Sequence, residues 1–261
     1  MENEKTGFFS KILKSITDFK MYPLIIKESV GRAIGYLVLL SLIIGLLGCI
    51  KPIYLTNKVI DMAVKTFESE IPYFNLSNGE LTVEDEMPMV FEQGSQIIII
   101  DTTNQIDKGI LNDYYQGFIL YKNSMINKQG PQYQEIKYTD LGNLEFDRDS
   151  IKAFMPKLKY IIIPIIIVFV ILGAVLGKLF SSLIVSILGL IVNAISKGNL
   201  KYDGIYKIGI YSLTLPSIIK LVIKQIPIRI PFFGMMFFFA YYAIIIIYIY
   251  KAIIEVKTES L

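Results

Sequence analysis

The chain has 261 residues, of which 53% are hydrophobic, and it contains one cysteine, no tryptophan and no histidine. Few soluble proteins have so high an apolar fraction, so the composition favours an integral membrane protein. The lack of histidine excludes Ser-His-Asp and Cys-His catalysis and every histidine-containing zinc site, and a single cysteine excludes an intrachain disulfide.

Charge is divided unevenly along the chain. Residues 1–32 contain six basic and four acidic residues and residues 158–261 contain ten and three, whereas residues 51–157 contain ten and sixteen. Basic residues beside membrane spans favour the cytoplasm, while a folded acidic domain can be exported. We therefore expect a multi-pass protein of a bacterial plasma membrane, with a cytoplasmic N-terminus and an extracytoplasmic domain at 51–157. No stripe of basic residues alternates with aromatic ones, so no nucleic-acid partner is expected.

The cytoplasmic segment 1–32 has an apolar stripe at helical spacing, formed by Phe8, Phe9, Ile12, Leu13, Ile16 and Phe19. Lys11 and Lys14 lie on the other side of such a helix. This pattern favours a short amphipathic helix on an anionic cytoplasmic leaflet. The alternative is a positively charged flank that only sets the orientation of the first span.

Five hydrophobic stretches are long enough to cross a bilayer, at residues 33–50, 160–177, 179–196, 205–226 and 230–250. The second and third are separated only by Lys178 and are together too long for one span, which predicts a tight hairpin with Lys178 at its tip. The fourth is flanked closely by lysines, and we favour a span there over a helix lying in the membrane interface. Five spans would put the C-terminal tail, 252–261, outside the cell.

The exported domain is predicted to begin and end with helices. The first has apolar residues at every fourth position, namely Leu55, Val59, Ala63 and Phe67. Such a face packs on the rest of a domain, and the helix should end before Pro72. Near the other end, Asp147 and Asp149 can cap a helix that continues through Pro156 into the second span.

A β-hairpin is predicted within the sequence YFNLSNGELTVE, because Asn78-Gly79 is a favoured two-residue turn. This turn places Phe74 opposite Val83, with apolar residues on one face of the hairpin. The agreement between turn and pattern is a strong hairpin signal.

A second hairpin follows if Gly94-Ser95 forms the turn, since Phe91 then faces Ile98. The run Gln96–Asp101 would be its buried central strand. These elements predict a small α+β unit. Two further, weaker strands are expected at Gly117–Ile126 and Gln132–Tyr138.

Two parts of the chain carry a resemblance to a known family. The first is the P-x-F…NG-x-L hairpin with its terminal I-I-D-T-T, whose residues are Pro72, Phe74, Asn78, Gly79, Asp101, Thr102 and Thr103. The second is the series Tyr202, Tyr206, Tyr211 and Pro216. With these pieces, nearly the whole chain resembles the bacterial membrane family catalogued as domain of unknown function 1189.

The resemblance implies a polytopic protein of Gram-positive-type bacteria with no established biochemical activity. Some relatives are labelled as maltodextrin-utilisation proteins, which implies at most an association with sugar uptake. The multi-span part is also distantly similar to the Yip/Yif superfamily of five-span membrane proteins, which act in trafficking by binding partners. The exported domain departs from that pattern, so a trafficking role does not carry over.

Small and polar residues inside the predicted spans are candidate functional positions. Gly173 and Gly177 form a G-x-x-x-G motif, which lets helices approach closely, within this protein or in a dimer. Asn193 and Lys178 are polar groups at membrane depth or at a hairpin tip, and an intramembrane polar group suggests a functional site. Interhelical hydrogen bonding explains one asparagine equally well.

The sequence Asp101-Thr102-Thr103 follows an aliphatic run, as does the phosphoryl-accepting aspartate of phosphatases and ATPases. A nucleophilic aspartate needs a second acid two residues later or a metal cluster beside it. Thr103 occupies that position. We therefore interpret the segment as a turn at the end of a strand.

The expected fold is a polytopic α-helical membrane protein of about five transmembrane helices, with an inserted extracytoplasmic α+β domain that contains β-hairpins. Its function is expected to be non-enzymatic, without cofactor or metal. It would sit in the lipid bilayer and bind a membrane or envelope protein, as a scaffold, an envelope sensor or a transporter accessory. The alternative is a component of a transport system, such as sugar uptake, in which prolines break helices around a path, namely Pro164, Pro216, Pro227 and Pro231.

Overall fold

The computed structural model describes residues 7–142, 144–226 and 230–259. The chain divides into two compact units, a helical unit of Met1–Leu55 and Ile162–Leu261 and an α+β unit of Thr56–Ile161. The α+β unit lies within a few residues of the predicted exported domain. Residues 1–6 of the predicted cytoplasmic segment, Pro227, and the last two residues of the tail lie outside the described residues.

Helices dominate the described part of the chain. Their bounds are α1 Phe8–Thr17, α2 Tyr22–Lys27, α3 Val30–Gly48, α4 Ile50–Glu70, α5 Arg148–Phe154, α6 Leu158–Ile195, α7 Tyr202–Ser212, α8 Thr214–Gln225 and α9 Phe233–Glu259. Within the described residues, four stretches are long and apolar enough to cross a membrane, and these are Val30–Glu70, Arg148–Ile195, Tyr202–Gln225 and Phe233–Glu259.

The predicted hairpin at Lys178 is wrong. Residues Leu158–Ile195 form one helix of 38 residues, which passes through Pro164 and Lys178 without a break. A helical hairpin needs several residues for its turn, and a single lysine between two apolar runs does not supply them. At 1.5 Å per residue, α6 is about 57 Å long. The two predicted spans are therefore one, which leaves four candidates instead of five.

The predicted stretch 205–226 consists of two helices, α7 and α8, which meet at Leu213. Pro216 lies in the first turn of α8 and is buried. A proline is tolerated there because the first N–H groups of a helix have no partner within the helix.

Helix α7 is the centre of the helical unit. Ile205, Ile208 and Tyr211 are fully buried, and the Tyr211 ring stacks on Tyr36 of α3 with their centroids 4.3 Å apart. The neighbouring helix α6 approaches α7 at Gly189, where a Cβ atom would lie only 2.6 Å from Ile205 Cγ2. Small residues thus allow the close packing of these two helices.

The N-terminal helix is present as predicted, over Phe8–Thr17. Phe8 and Ile12 of its apolar stripe pack against the core of the helical unit, whereas Phe9 and Leu13 are exposed. The stripe therefore serves in part to dock this helix on its own protein.

The described N-terminal helices contact α9. Lys27, at the end of α2, forms an ion pair of 3.5 Å with Glu259 at the end of α9. The Tyr248 hydroxyl of α9 donates a hydrogen bond of 2.8 Å to the carbonyl of Ile16. The N-terminal segment thus lies against the C-terminal half of α9.

The α+β unit contains two sheets. The strands are β1 Phe74–Ser77, β2 Glu80–Val83, β3 Met89–Gln93, β4 Gln96–Asp101, β5 Gln116–Tyr121, β6 Ser124–Gln129, β7 Gln132–Lys137 and β8 Phe146–Asp147. One sheet has the order β2-β1-β8 and the other the order β3-β4-β5-β6-β7. All pairings are antiparallel except that of β4 with β5, which is parallel.

Both predicted hairpins are confirmed in register. Phe74 pairs with Val83 across the first turn, and Phe91 pairs with Ile98 across the second. The predicted cap of α5 is confirmed as well, because Asp147 accepts a hydrogen bond of 2.8 Å from the backbone N–H of Ser150.

Three details of the α+β unit differ from the prediction. The stretch Gly117–Ile126 contains parts of two strands, β5 and β6, instead of one. Strand β4 is buried on one face only, since Ile98 is exposed. On α4 the predicted inward face is exposed at Leu55, Val59 and Ala63, whereas Ile60 is buried. Apolar residues occur on both sides of α4, so the sequence alone could not show which side packs against the rest of the protein.

Candidate functional site

Four lysines line one cavity of the helical unit, which has a volume of ≈ 870 Å³ and which we call the lysine cavity: Lys51, Lys178, Lys220 and Lys224. They come from three parts of the chain, since Lys51 is in α4, Lys178 is in the middle of α6, and the other two are one turn apart on α8. The cavity is therefore assembled by the tertiary structure of the helical unit.

Lys178 is held by neutral partners from two other helices. Its Nζ donates hydrogen bonds to Ser217 Oγ of α8 and, at 3.0 Å, to the Tyr241 hydroxyl of α9. The ammonium group also lies 5.5 Å from the centroid of the Tyr241 ring, within the range of a cation–π contact. These contacts orient the ammonium group but leave its charge uncompensated.

The other lysines surround the same position. Lys220 Nζ lies 5.6 Å from the centroid of the Tyr241 ring, and Lys51 Nζ donates a hydrogen bond of 3.0 Å to the carbonyl of Lys224. The ring of Tyr241 thus lies within cation–π distance of two ammonium groups.

No carboxylate is among the described residues that line the cavity. Among the described residues, no Asp or Glu lies within salt-bridge distance of these four lysines. Lys178 is half-buried, whereas Lys51, Lys220 and Lys224 are exposed. Gathering these like charges around one cavity has a cost, because they repel one another. A bound anion would offset that cost.

Two lysines elsewhere in the helical unit, Lys11 and Lys207, are paired with carboxylates. Lys11 forms an ion pair of 2.6 Å with Glu28, and the Tyr211 hydroxyl donates to the same carboxylate at 3.3 Å. Lys207 is 3% exposed and pairs with Asp203 at 3.1 Å. This network has balanced charge and holds the N-terminal segment on α7. In contrast to these paired lysines, the lysines of the cavity have no described carboxylate partner, so the lysine cavity is the candidate ligand site of the helical unit.

The predicted G-x-x-x-G motif lines the lysine cavity and does not pack against another helix of the described chain. Apart from the chain neighbours and the backbone of α6, no described atom lies within 4 Å of a Cβ built on Gly173 or Gly177. The close approach predicted within the chain is therefore wrong for these two residues. Close approach occurs instead at Gly45, Gly189 and Gly209. The two predicted glycines leave open space at the cavity wall.

Asn193 has a local structural role. Its side-chain amide donates a hydrogen bond of 3.4 Å to the carbonyl of Leu200, in the connection between α6 and α7. Its Oδ1 atom is buried without a hydrogen-bond partner among the described atoms and would lie 2.2 Å from a Cβ on Gly198. Asn193 is far from Lys178 in α6, and no polar chain joins them in the described contacts.

The tyrosine series packs α7 against its neighbours. The hydroxyl groups of Tyr206 and Tyr202 lie 3.2 Å from the hydroxyl oxygens of Ser182 and Ser186 of α6, respectively. Tyr211 belongs to the paired network described above. These residues, like the buried Pro216, support the arrangement of the helices and do not line the lysine cavity.

The hairpin residues of the α+β unit are structural. Asn78 and Gly79 have φ values of 51° and 75°, as the hairpin turn requires, and Phe74 packs edge-on against Phe146 with the centroids 6.3 Å apart. A Cβ on Gly79 would lie 2.7 Å from Thr139 Cγ2. Pro72 lies between α4 and β1.

Asp101 forms the predicted turn at the end of β4. It is fully buried and accepts hydrogen bonds from the Thr103 backbone at 3.0 Å, the Thr103 hydroxyl at 2.5 Å and the Ile106 backbone at 2.6 Å. Burial alone would raise the pKa of Asp101, but these hydrogen bonds favour the carboxylate and lower its pKa below the ordinary value. Thr102 is part of the same turn.

Sequence reasoning singled out only Lys178 among the polar residues of the lysine cavity. Lys220 and Lys224 are among the lysines that flank the predicted stretch 205–226, and the sequence around Ser217 and Tyr241 has no distinctive pattern. The available signal was four lysines beside apolar runs with no acidic residue to pair with them. Their convergence needs the tertiary structure.

Over the described residues, the fold is that of a predominantly helical protein with four candidate membrane spans and an inserted α+β unit. The chain belongs to the family described as protein of unknown function (DUF1189), whose model matches residues 9–253. The family resemblance carried by the hairpin and the tyrosine series is thereby confirmed. The search of curated proteins found no match, and neither did the search of solved structures.

Proposed function

We propose that this chain is an integral protein of the bacterial plasma membrane that acts by binding and not by catalysis, as a scaffold, an envelope sensor or an accessory of a transporter. The observation that carries this proposal is the outer surface of α6. Phe169, Phe180 and Ile195 are 71%, 65% and 75% exposed there. A continuous apolar surface of this kind is unfavourable in water and matches the hydrocarbon of a bilayer.

The proposed topology has four spans with both chain ends in the cytoplasm and the α+β unit outside. The ion pair between Lys27 and Glu259 supports it. Lys27 precedes the first candidate span and Glu259 ends the last one, so their contact favours the same side of the membrane for both. Lys197, Lys201 and Lys207 then fall on the cytoplasmic side, in agreement with the distribution of basic residues around spans. Five spans would put them outside.

Membrane integration and topology are tested together. The protein should remain in the membrane fraction after alkaline extraction. In a Cys49→Ser background, Glu86→Cys should react with a membrane-impermeant maleimide on intact cells, whereas Lys14→Cys and Lys197→Cys should react only after permeabilisation. Labelling of position 197 on intact cells would contradict the four-span topology.

A recess on the larger sheet supports a partner-binding role for the α+β unit. It has a volume of ≈ 460 Å³ and is lined by Phe91, Ile98 and Phe118, two of which are exposed side chains of central strands. Photo-crosslinking from Gln96 inside the recess should capture an envelope or membrane protein. The matched control is Lys137 on the opposite face of the sheet. Equal capture from both positions would count against this surface.

Transport is the second candidate function. A cavity between helices favours it, since transporters bind ligands between helices. The reason to test a sugar is the maltodextrin label of some relatives and not the charge of the cavity. Uptake of labelled maltodextrin in a deletion strain, compared with the complemented strain, is the direct test. Unchanged uptake would argue against a transport role for that substrate.

A further inference from the structure

We propose that the lysine cavity binds the phosphate group of an anionic phospholipid, with the acyl chains along its apolar walls. This proposal rests on the membrane location proposed above and names a ligand for the helical unit. Its basis is the juxtaposition in one cavity of aromatic and aliphatic side chains with four lysines that form no ion pair within the described part of the chain.

The charge of the cavity selects an anion. Lys178 has three N–H donors, of which Ser217 and Tyr241 accept two. The third remains for a ligand, and no carboxylate is among the lining residues to occupy it. Charge-assisted hydrogen bonds from several ammonium groups suit a phosphate, which offers several acceptor oxygens.

The walls of the cavity select an amphiphile. Phe169 and Val170 of α6 and Phe237 and Phe238 of α9 form part of the lining, and both Phe169 and Phe238 are exposed beyond the cavity. The open space at Gly177 continues this apolar surface. A free inorganic anion would gain nothing from these apolar side chains, whereas acyl chains would bury apolar surface against them.

The position of the lysines fits a headgroup. Lys51 follows the apolar part of α3, and its hydrogen bond to the carbonyl of Lys224 brings the end of that span beside the end of α8. In the four-span topology both ends lie on the outer side of the membrane. Basic residues are disfavoured there, so their convergence on one cavity is consistent with a binding role.

The test uses the full-length protein in a non-ionic detergent. Native mass spectrometry measures binding of dioleoyl phosphatidylglycerol and of dioleoyl phosphatidylcholine, which has the same acyl chains and no net charge. The anionic lipid should bind at least about tenfold more tightly. The double variant Lys178→Gln/Lys220→Gln should lose this preference by about tenfold or more, since each charge-assisted hydrogen bond contributes substantially.

Three further variants make the result specific. Lys197→Gln/Lys201→Gln removes the same charge outside the cavity and should bind as the unchanged protein does. Lys178→Arg/Lys220→Arg keeps the charge and should keep the preference. Gly177→Leu keeps all lysines but fills the open space, and it should weaken binding of the anionic lipid even if the glutamine variant fails to fold.

Equal binding of the two lipids, or an equal loss in the control pair, would overturn the proposal. Inorganic phosphate is the third ligand, and if it raises the unfolding temperature as much as the anionic lipid does, the assignment to a lipid is wrong. Alkaline extraction tests the membrane location without reference to the lysines. A protein that stays in the membrane fraction and shows no lipid preference would therefore refute this proposal alone.

Discussion

Gly189 of α6 offers the sharpest test of the helical packing. A Cβ atom at this position would lie 2.6 Å from Ile205 Cγ2, well inside the optimal carbon–carbon separation of about 3.5–4.0 Å. Ile205 is fully buried and β-branched, so it has few other rotamers. In Gly189→Ala, helices α6 and α7 must therefore separate, and overpacking of this kind costs about 1–3 kcal/mol.

Gly173→Ala is the matched control. It makes the same substitution in the same helix at a position where no atom lies within 4 Å of the new Cβ. Both variants gain up to about 1 kcal/mol of helix propensity, so their difference isolates the overpacking cost. We expect Gly189→Ala to be less stable than Gly173→Ala by about 1–3 kcal/mol.

The single cysteine provides the assay. Cys49 is buried, so a fluorogenic maleimide reacts with it when the detergent-solubilised protein unfolds on heating. Gly189→Ala should unfold several degrees below Gly173→Ala. If Gly189→Ala is as stable as its control, the close packing of α6 on α7 is not as the structure has it.

Three predictions concern the α+β unit and can be measured by limited proteolysis of the full-length protein. Asp101→Asn should destabilise the unit by about 1–3 kcal/mol at neutral pH. Because the folded-state pKa of Asp101 is lowered, the difference in stability from the unchanged protein should shrink below about pH 4. A difference that stays constant with pH would contradict this. Gly79→Ala should destabilise more than Gly94→Ala, since both have positive φ but only the first clashes with Thr139; equal effects would refute the clash. Tyr138→Phe should be at least as stable as the unchanged protein, because the Tyr138 hydroxyl is buried without a described hydrogen-bond partner. Its burial also raises the pKa of Tyr138 to about 12. A clear loss of stability would show that the hydroxyl does form a hydrogen bond.

Local chemistry accounts for what could be predicted within the α+β unit. The Asn78-Gly79 turn and the capping side chain of Asp147 act within a few residues, so the sequence was enough to place the hairpin and the start of α5. The parallel pairing of β4 with β5 was not predicted. It joins strands separated by a long connection, and its register is set by side chains that the sequence does not bring together.

In the helical unit, the sequence by itself determined the apolar stretches and the amphipathic start, because hydrophobicity and helical spacing are properties of short segments. Only the tertiary structure decided that α6 continues through Lys178, since the partners that hold this lysine, Ser217 and Tyr241, lie 39 and 63 residues further along the chain. The same is true of the lysine cavity. Whether a charged side chain pairs within the protein or is left to bind a ligand depends on its neighbours in space. Those neighbours are fixed by the packing of whole helices.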